Sequence, residues 1–221
     1  MNRRTFLIKW IGGSAAASLV GLGIGGFIGL MGLHEGSIGT ILPSGLVFGT
    51  VIAGTVGLMQ GTILSDRLDG LTPNQWAAKT GVGAMVAWAV IAYPLRELTA
   101  VDAVSLPGTE LVLVAVGIGL AAGLVVSFSQ WLELRRHVHS AFWSVPLLGV
   151  AWGVGAIVFF AANEIVQEAG SELAGVATAA GILVLVASIV ASIQAVGLVR
   201  LLPGTLNEQS PEYQLGDVTA H

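Results

Sequence analysis

Three glutamines are the polar side chains whose spacing and surroundings stand out in this chain. Gln60, Gln130 and Gln194 each lie in a long apolar segment, and the ten positions before each of them contain no ionisable residue. An amide both donates and accepts hydrogen bonds, so it can join neighbouring helices where water is absent. The chain has no cysteine, which excludes disulfides, thiol nucleophiles and thiolate metal sites. These residues therefore predict fastening or binding rather than catalysis.

The surroundings of the three glutamines are similar enough to predict an internal repeat. In each case a small residue lies three and seven positions before the glutamine, a valine four before and a leucine four after, and an arginine follows shortly. The small residues three positions before the glutamines are Gly57, Ser127 and Ala191, and the leucines are Leu64, Leu134 and Leu198.

In a helix, the positions three and seven before a glutamine share its face. The small residues would then form a groove for a neighbouring backbone, and the amide would bond across it. One interpretation makes Gln60, Gln130 and Gln194 interhelical fasteners. The other makes them the lining of a vestibule that contacts a ligand.

Other residues that could bind a ligand form only weak patterns. His137 and His139 could supply two metal ligands, but two ligands do not make a site, and a basic loop facing anionic lipid headgroups is the simpler interpretation. Trp88 and Trp152 could stack on a bound carotenoid, quinone or lipid, or they could be ordinary lipid-facing or core aromatics. The sequence itself requires no cofactor.

Composition indicates the class of protein that holds these residues. Of the 221 residues, 54% are hydrophobic and 10% charged, whereas soluble domains carry roughly 25% charged residues. Apolar runs long enough to span a bilayer predict an all-α bundle of six transmembrane helices in residues 1–202, followed by a flexible polar tail at 203–221. The six runs cover 5–33, 41–64, 76–95, 110–132, 141–163 and 174–201.

A second similarity suggests how the six helices are grouped. The segment 87–90 matches 151–154 around Trp88 and Trp152, and 17–20 falls in the same register. The repeat would then consist of three hairpins in which helix two pairs with three, four with five, and six with one. Such parallel repeats are related by an axis along the membrane normal.

The charge distribution predicts the orientation. Eight of the nine Lys and Arg residues fall on the side of the predicted chain termini, with Arg96 on the other, so both termini are expected to be cytoplasmic. Trp10, Trp76, Trp131 and Trp143 lie at the same ends, as an interfacial aromatic belt would place them. The twin arginines near the N-terminus resemble an export signal. However, the tendency of basic residues to lie on the cytoplasmic side also accounts for them, and no signal-peptide cleavage site follows.

The segment "GLVVSFSQWLELRRHVHSAFW", residues 123–143, carries a family resemblance. It resembles uncharacterised bacterial membrane proteins, of the type seen in cyanobacteria and Chloroflexi, that repeat the motif Gly-x-x-x-Gly-x-x-Gln-Trp-x-x-Leu-Arg-Arg before a Trp-containing helix. Gly61 and Ala195 replace the tryptophan of this motif in the other two copies. The resemblance implies a multi-pass inner-membrane protein and no particular activity.

The apolar cores contain no ionisable residue of the kind that proton-coupled pumps and ion carriers keep at mid-membrane; Lys9, Lys79, Glu133 and Glu164 lie at predicted helix ends. We therefore expect a non-enzymatic membrane protein that is a scaffold or accessory subunit of a larger complex, or a binder of lipid or another apolar ligand. Its partners would be lipids and membrane proteins, not nucleic acid. The alternative is a small transporter, channel or substrate-binding component, by analogy with six-helix subunits of vitamin uptake systems.

Overall fold

The computed structural model describes residues 2–33, 38–100, 108–167 and 171–202, with continuous side-chain detail in 2–24, 46–90, 112–159 and 174–202. Within these ranges the chain forms six long α-helices and no strand, which confirms the all-α prediction. The helix bounds differ from the predicted ones by a few residues. The helices are α1 Arg3–Leu33, α2 Ile38–Ser65, α3 Pro73–Ala100, α4 Gly108–Leu134, α5 Ser144–Gln167 and α6 Glu172–Leu201.

Five of these helices contain stretches long and apolar enough to cross a membrane, so the chain has the character of a membrane protein. Among the described residues no such stretch is found in α3, whose first turns carry Asn74, Gln75 and Lys79 and whose side chains at 91–100 lie outside the described part of the chain. The five stretches are Arg3–Ile24, Leu46–Ser65, Val112–Leu134, Ala141–Phe159 and Ala174–Leu201. The predicted tail at 203–221 lies outside the described residues.

Side chains close to the chain's turns determine where several helices begin. Asn2 Oδ1 accepts a hydrogen bond from the Thr5 amide (2.8 Å) at the start of α1. Ser171 Oγ accepts one from the Ala174 amide (3.2 Å) at the start of α6. Such caps satisfy amides that have no partner within the helix. Helix α3 begins at Pro73, whose missing N–H costs nothing at the first helical position.

The helices form a closed ring in chain order: each packs against the next, and α6 packs against α1. Helices α2, α4 and α6 therefore alternate with α1, α3 and α5 around the ring. We call one end of the bundle the glutamine end; it holds Gln60, Gln130 and Gln194 together with the loops at 66–72 and 135–143. Because adjacent helices are joined by short loops there, side chains from α2, α4 and α6 can meet at one level.

The apolar core at the glutamine end corrects one prediction about the tryptophans. Trp10 and Trp76 are almost fully buried inside this core, so they do not belong to an interfacial belt. Trp76 packs over Gly61, where an added Cβ would lie 3.0 Å from the Trp76 Cβ. The small residue thus lets the start of α3 approach α2 closely. Trp131 is half-buried and Trp143 is 68% exposed, so these two remain suited to an interface.

Candidate functional site

The three glutamines meet at the centre of the bundle and bond to one another. Gln60, Gln130 and Gln194 retain only 4%, 5% and 6% of their exposure. Gln60 Nε2 donates to Gln194 Oε1 (3.3 Å), and Gln194 Nε2 donates to Gln130 Oε1 (3.3 Å). The sequence pattern had selected these residues one by one, and the fold brings all three into a single hydrogen-bonded row, which we call the glutamine row.

Hydroxyl groups on two further helices extend the glutamine row. Gln130 Nε2 donates to Thr80 Oγ1 (3.0 Å) on α3, and Gln60 Nε2 also donates to Ser14 Oγ (3.2 Å) on α1. The Thr80 hydroxyl in turn donates to the Trp76 carbonyl oxygen (2.9 Å). Five of the six helices are thereby joined through one buried polar network.

The glutamine row is one hydrogen bond short of a closed ring. A symmetric ring would have Gln130 Nε2 donate to Gln60 Oε1, but Gln130 donates to Thr80 instead. Gln60 Oε1 is consequently a buried acceptor without a hydrogen-bond partner among the described residues. Such an acceptor carries a desolvation cost of about 1–3 kcal/mol, so Gln60 is the least well satisfied of the three amides.

A layer of leucines closes the glutamine row on one side. Four residues further along each helix, Leu64, Leu134 and Leu198 are almost completely buried and belong to one core cluster. Because the glutamines bond together and the leucines after them pack together, α2, α4 and α6 run in the same direction. At a helical rise of 1.5 Å per residue, the leucine layer lies about 6 Å beyond the amides.

On the other side of the amides, three small residues let the helices approach closely. A Cβ added to Gly57 would lie 2.8 Å from the Thr80 Cβ, so α2 and α3 touch almost backbone to backbone. Ser127 is buried and its hydroxyl donates to the Ser144 carbonyl (2.8 Å) at the start of α5. Ala191 is equally buried on α6. At Gly57 and Ser127 the small residues therefore allow close contact with a neighbouring helix, which is the packing that the fastener interpretation describes.

The structure places the two candidate stacking tryptophans against glycines of the preceding helix. The Trp88 indole occupies the space beside Gly49, and Trp88 is half-buried. Trp152 packs its Cβ against Gly123, where an added Cβ would lie 2.8 Å away, and it keeps part of its surface exposed. Each tryptophan therefore contacts the other helix of its own hairpin: Trp88 contacts α2 and Trp152 contacts α4. This packing role needs no bound ligand.

His137 and His139 differ in environment. His137 Nε2 lies 3.8 Å from Glu133 Oε1, and the His137 ring lies beside Gly70 of the other loop at the glutamine end. His139 is exposed. The other carboxylate oxygen, Glu133 Oε2, lies 3.5 Å from Arg136 Nη1. In the ranges that the structure describes, no three His, Asp or Glu side chains come close enough to hold a metal ion.

Sequence reasoning missed several members of this site. Ser14 and Thr80 complete the glutamine row, yet nothing in their local sequence distinguishes them from other hydroxyl residues in apolar helices. Glu133 lies at the end of α4, as predicted, and is almost fully buried there. Its spacing to Arg136 and His137, three and four residues later, is the signal that could have indicated a local ion-pair cluster.

Two open grooves lie on the outside of the bundle. The larger, about 640 Å³, runs over α2 and is lined by uncharged residues, among them Thr50, Gly54 and Thr55. The smaller, about 350 Å³, lies between α5 and α6 at the glutamine end and includes Arg200. None of the three glutamines lines either groove.

Comparison with protein-family models, with curated proteins and with solved structures finds no match to this chain. The resemblance drawn from the motif at 123–143 therefore stays a prediction, and functional argument rests on the geometry of the site.

Proposed function

We propose that this protein is a non-enzymatic integral membrane scaffold: an accessory subunit of a larger membrane complex, or a binder of lipid or another apolar ligand on its outer surface. The observation that carries this proposal is the glutamine row. Its amides bond to one another between helices, and a buried leucine layer lies on one side of it. Polar groups used in this way hold a bundle together rather than guide a solute.

The contacts within two hairpins support the proposed repeat. Gly49 and Gly119 both lie eleven residues before a glutamine, and both pack against the helix that carries the matched tryptophan, Trp88 or Trp152. Gly57 and Ser127 likewise both contact the start of the following helix. These matched contacts are those expected if α2–α3 and α4–α5 are copies of one hairpin, with α6 and α1 as the third.

The same packing and the charge distribution support a proposal for the membrane arrangement. Helix α3 packs between α2 and α4, both of which are apolar enough to cross a bilayer, so we propose that α3 crosses with them as the sixth span. The basic residues near the glutamine end favour a cytoplasmic location for that end and for both termini. An inner-membrane protein with six spans is the resulting topology.

A small transporter or channel is the alternative function. It would need a polar, hydrated path through the centre of the bundle. The leucine layer and the mutually bonded amides argue against such a path at the glutamine end. Among the described residues, the unpaired Gln60 Oε1 is a central acceptor that could still receive a hydrogen bond from a passing solute.

Cysteine accessibility distinguishes the two functions, because the natural chain has no cysteine. We expect Ser127→Cys and Ala191→Cys to resist small, water-soluble thiol reagents in membranes opened on both sides. Asn74→Cys, at an exposed position of α3, is the matched control and should react. Reaction at Ser127→Cys or Ala191→Cys at a rate near that of the control would reveal a hydrated path and would favour transport.

The accessory role is tested by gentle purification from the native membrane, followed by identification of the proteins, lipids and pigments that remain bound. We expect a stoichiometric membrane-protein partner or a retained apolar ligand. A monodisperse protein that carries neither, from several mild detergents, would argue against this role.

A further inference from the structure

We infer that the groove between α5 and α6 is a binding site for an anionic phospholipid, with the lipid phosphate on Arg200 and an acyl chain along the apolar part of the groove. This inference deepens the lipid-binding part of the proposed function and rests on it. The groove has a volume of about 350 Å³, and Arg200 is its only charged lining residue. The remaining lining residues are Trp143, Pro146, Leu147, Val150, Gly197 and Leu201.

The position of the groove along the helices matches the depth of a lipid headgroup and the upper acyl chain. Trp143 and Arg200 lie at the ends of two apolar stretches, Ala141–Phe159 and Ala174–Leu201. Val150 lies seven residues beyond Trp143, about 10 Å deeper at helical rise. The cationic Arg200 side chain therefore lies at the level of the membrane surface, and the apolar lining extends towards the bilayer interior. A phospholipid has the matching order, with its phosphate at the surface and its acyl chains inside.

Charge complementarity selects an anionic headgroup. Two other arginines at the glutamine end already have neighbours. The Arg135 guanidinium carbon lies 5.0 Å from the centre of the Trp131 ring, and Arg136 Nη1 lies 3.5 Å from Glu133 Oε2. Within the described part of the chain, no carboxylate lies within ion-pair distance of Arg200. An exposed guanidinium at an apolar groove can reach a phosphate in bidentate geometry while its methylene stem covers apolar surface.

The floor of the groove explains why a chain fits there. Gly197 has no side chain, and the Leu147 side chain fills the space where its Cβ would be. Leu147 therefore forms the floor of the groove at Gly197, and Val150 and Trp143 are exposed on the α5 side, so the surface that an acyl chain would contact is apolar. The larger groove over α2 is lined without charge, so it offers no anchor for a phosphate and provides an internal comparison.

The test is a lipid titration of the purified full chain, read by native mass spectrometry, with phosphatidylglycerol and phosphatidylcholine of identical acyl chains. Arg200→Gln should weaken phosphatidylglycerol binding about fivefold, as expected for the loss of one cation near a membrane surface, and leave phosphatidylcholine binding unchanged. Arg4→Gln, an exposed arginine at the start of α1, is the matched control and should have little effect.

A second pair of variants tests the groove itself. Val150→Trp should fill it and weaken both lipids, whereas Val154→Trp, exposed one turn further along α5 and outside the lining, should not. Unchanged phosphatidylglycerol binding in Arg200→Gln, or an equal loss in Arg4→Gln, would overturn the inference. So would full competition by inorganic phosphate alone. If lipid binding fails in these ways while Ser127→Cys stays unreactive, the scaffold proposal survives without the lipid site.

Discussion

Replacing Gln194 by leucine is the sharpest test of the glutamine row, because Gln194 is its middle link. Its amide accepts from Gln60 and donates to Gln130, both at 3.3 Å. Two interhelical bonds at about 0.6 kcal/mol each amount to roughly 1.2 kcal/mol. Gln130 Oε1 would then be a buried acceptor without its donor, at a further cost of about 1–3 kcal/mol. We expect a loss of roughly 2–4 kcal/mol in the free energy of unfolding.

Gln60→Leu is the matched comparison. It also removes two bonds, to Ser14 and Gln194, and leaves Gln194 Oε1 without a donor. However, it removes at the same time the buried Gln60 Oε1 that already has no partner. The penalties for the unpaired acceptors largely cancel, so the loss should be only about 1 kcal/mol.

Unfolding in detergent with increasing denaturant, followed by loss of helical circular dichroism, measures both values. A double-mutant cycle adds a stricter criterion, since directly bonded residues couple and separated ones do not. Gln60 with Gln194, and Gln194 with Gln130, should show coupling of about 0.5 kcal/mol or more, and Gln60 with Gln130 should show little. Equal destabilisation by Gln60→Leu and Gln194→Leu, or equal coupling in all three pairs, would refute the row as described.

Three further expectations follow from the described contacts. Ser127→Leu should destabilise the bundle by about 1–3 kcal/mol through overpacking, whereas the exposed neighbour Phe128→Leu should change the unfolding midpoint little. In intact cells, Ser171→Cys should react with an impermeant thiol reagent and Asn74→Cys should not; the opposite pattern would invert the topology. Gly70 has a φ of +81°, so Gly70→Ala should cost about 1 kcal/mol in unfolding measurements, and no change there would show that the loop conformation relaxes.

Sequence alone determined the parts of this protein that depend on local chemistry. Long apolar runs can satisfy their backbone groups in lipid only as helices, so the six helices and their approximate bounds were predictable. The recurrence of a small residue, a glutamine and a leucine at helical spacing indicated one shared face on α2, α4 and α6. Gln60, Gln130 and Gln194 could therefore be selected as the central polar residues before their partners were known.

Tertiary structure alone decided which partners those residues find. Donors and acceptors on different helices meet only when helix rotation, depth and lateral order are fixed together, and none of these is encoded in a local pattern. Ser14 and Thr80 are joined to the glutamine row for this reason, and Gln60 Oε1 is left unpaired. The same physical reason applies to Trp76. A tryptophan at a helix end is interfacial by local composition, but α3 packs closely on Gly61 of α2, and this packing places Trp76 in the core.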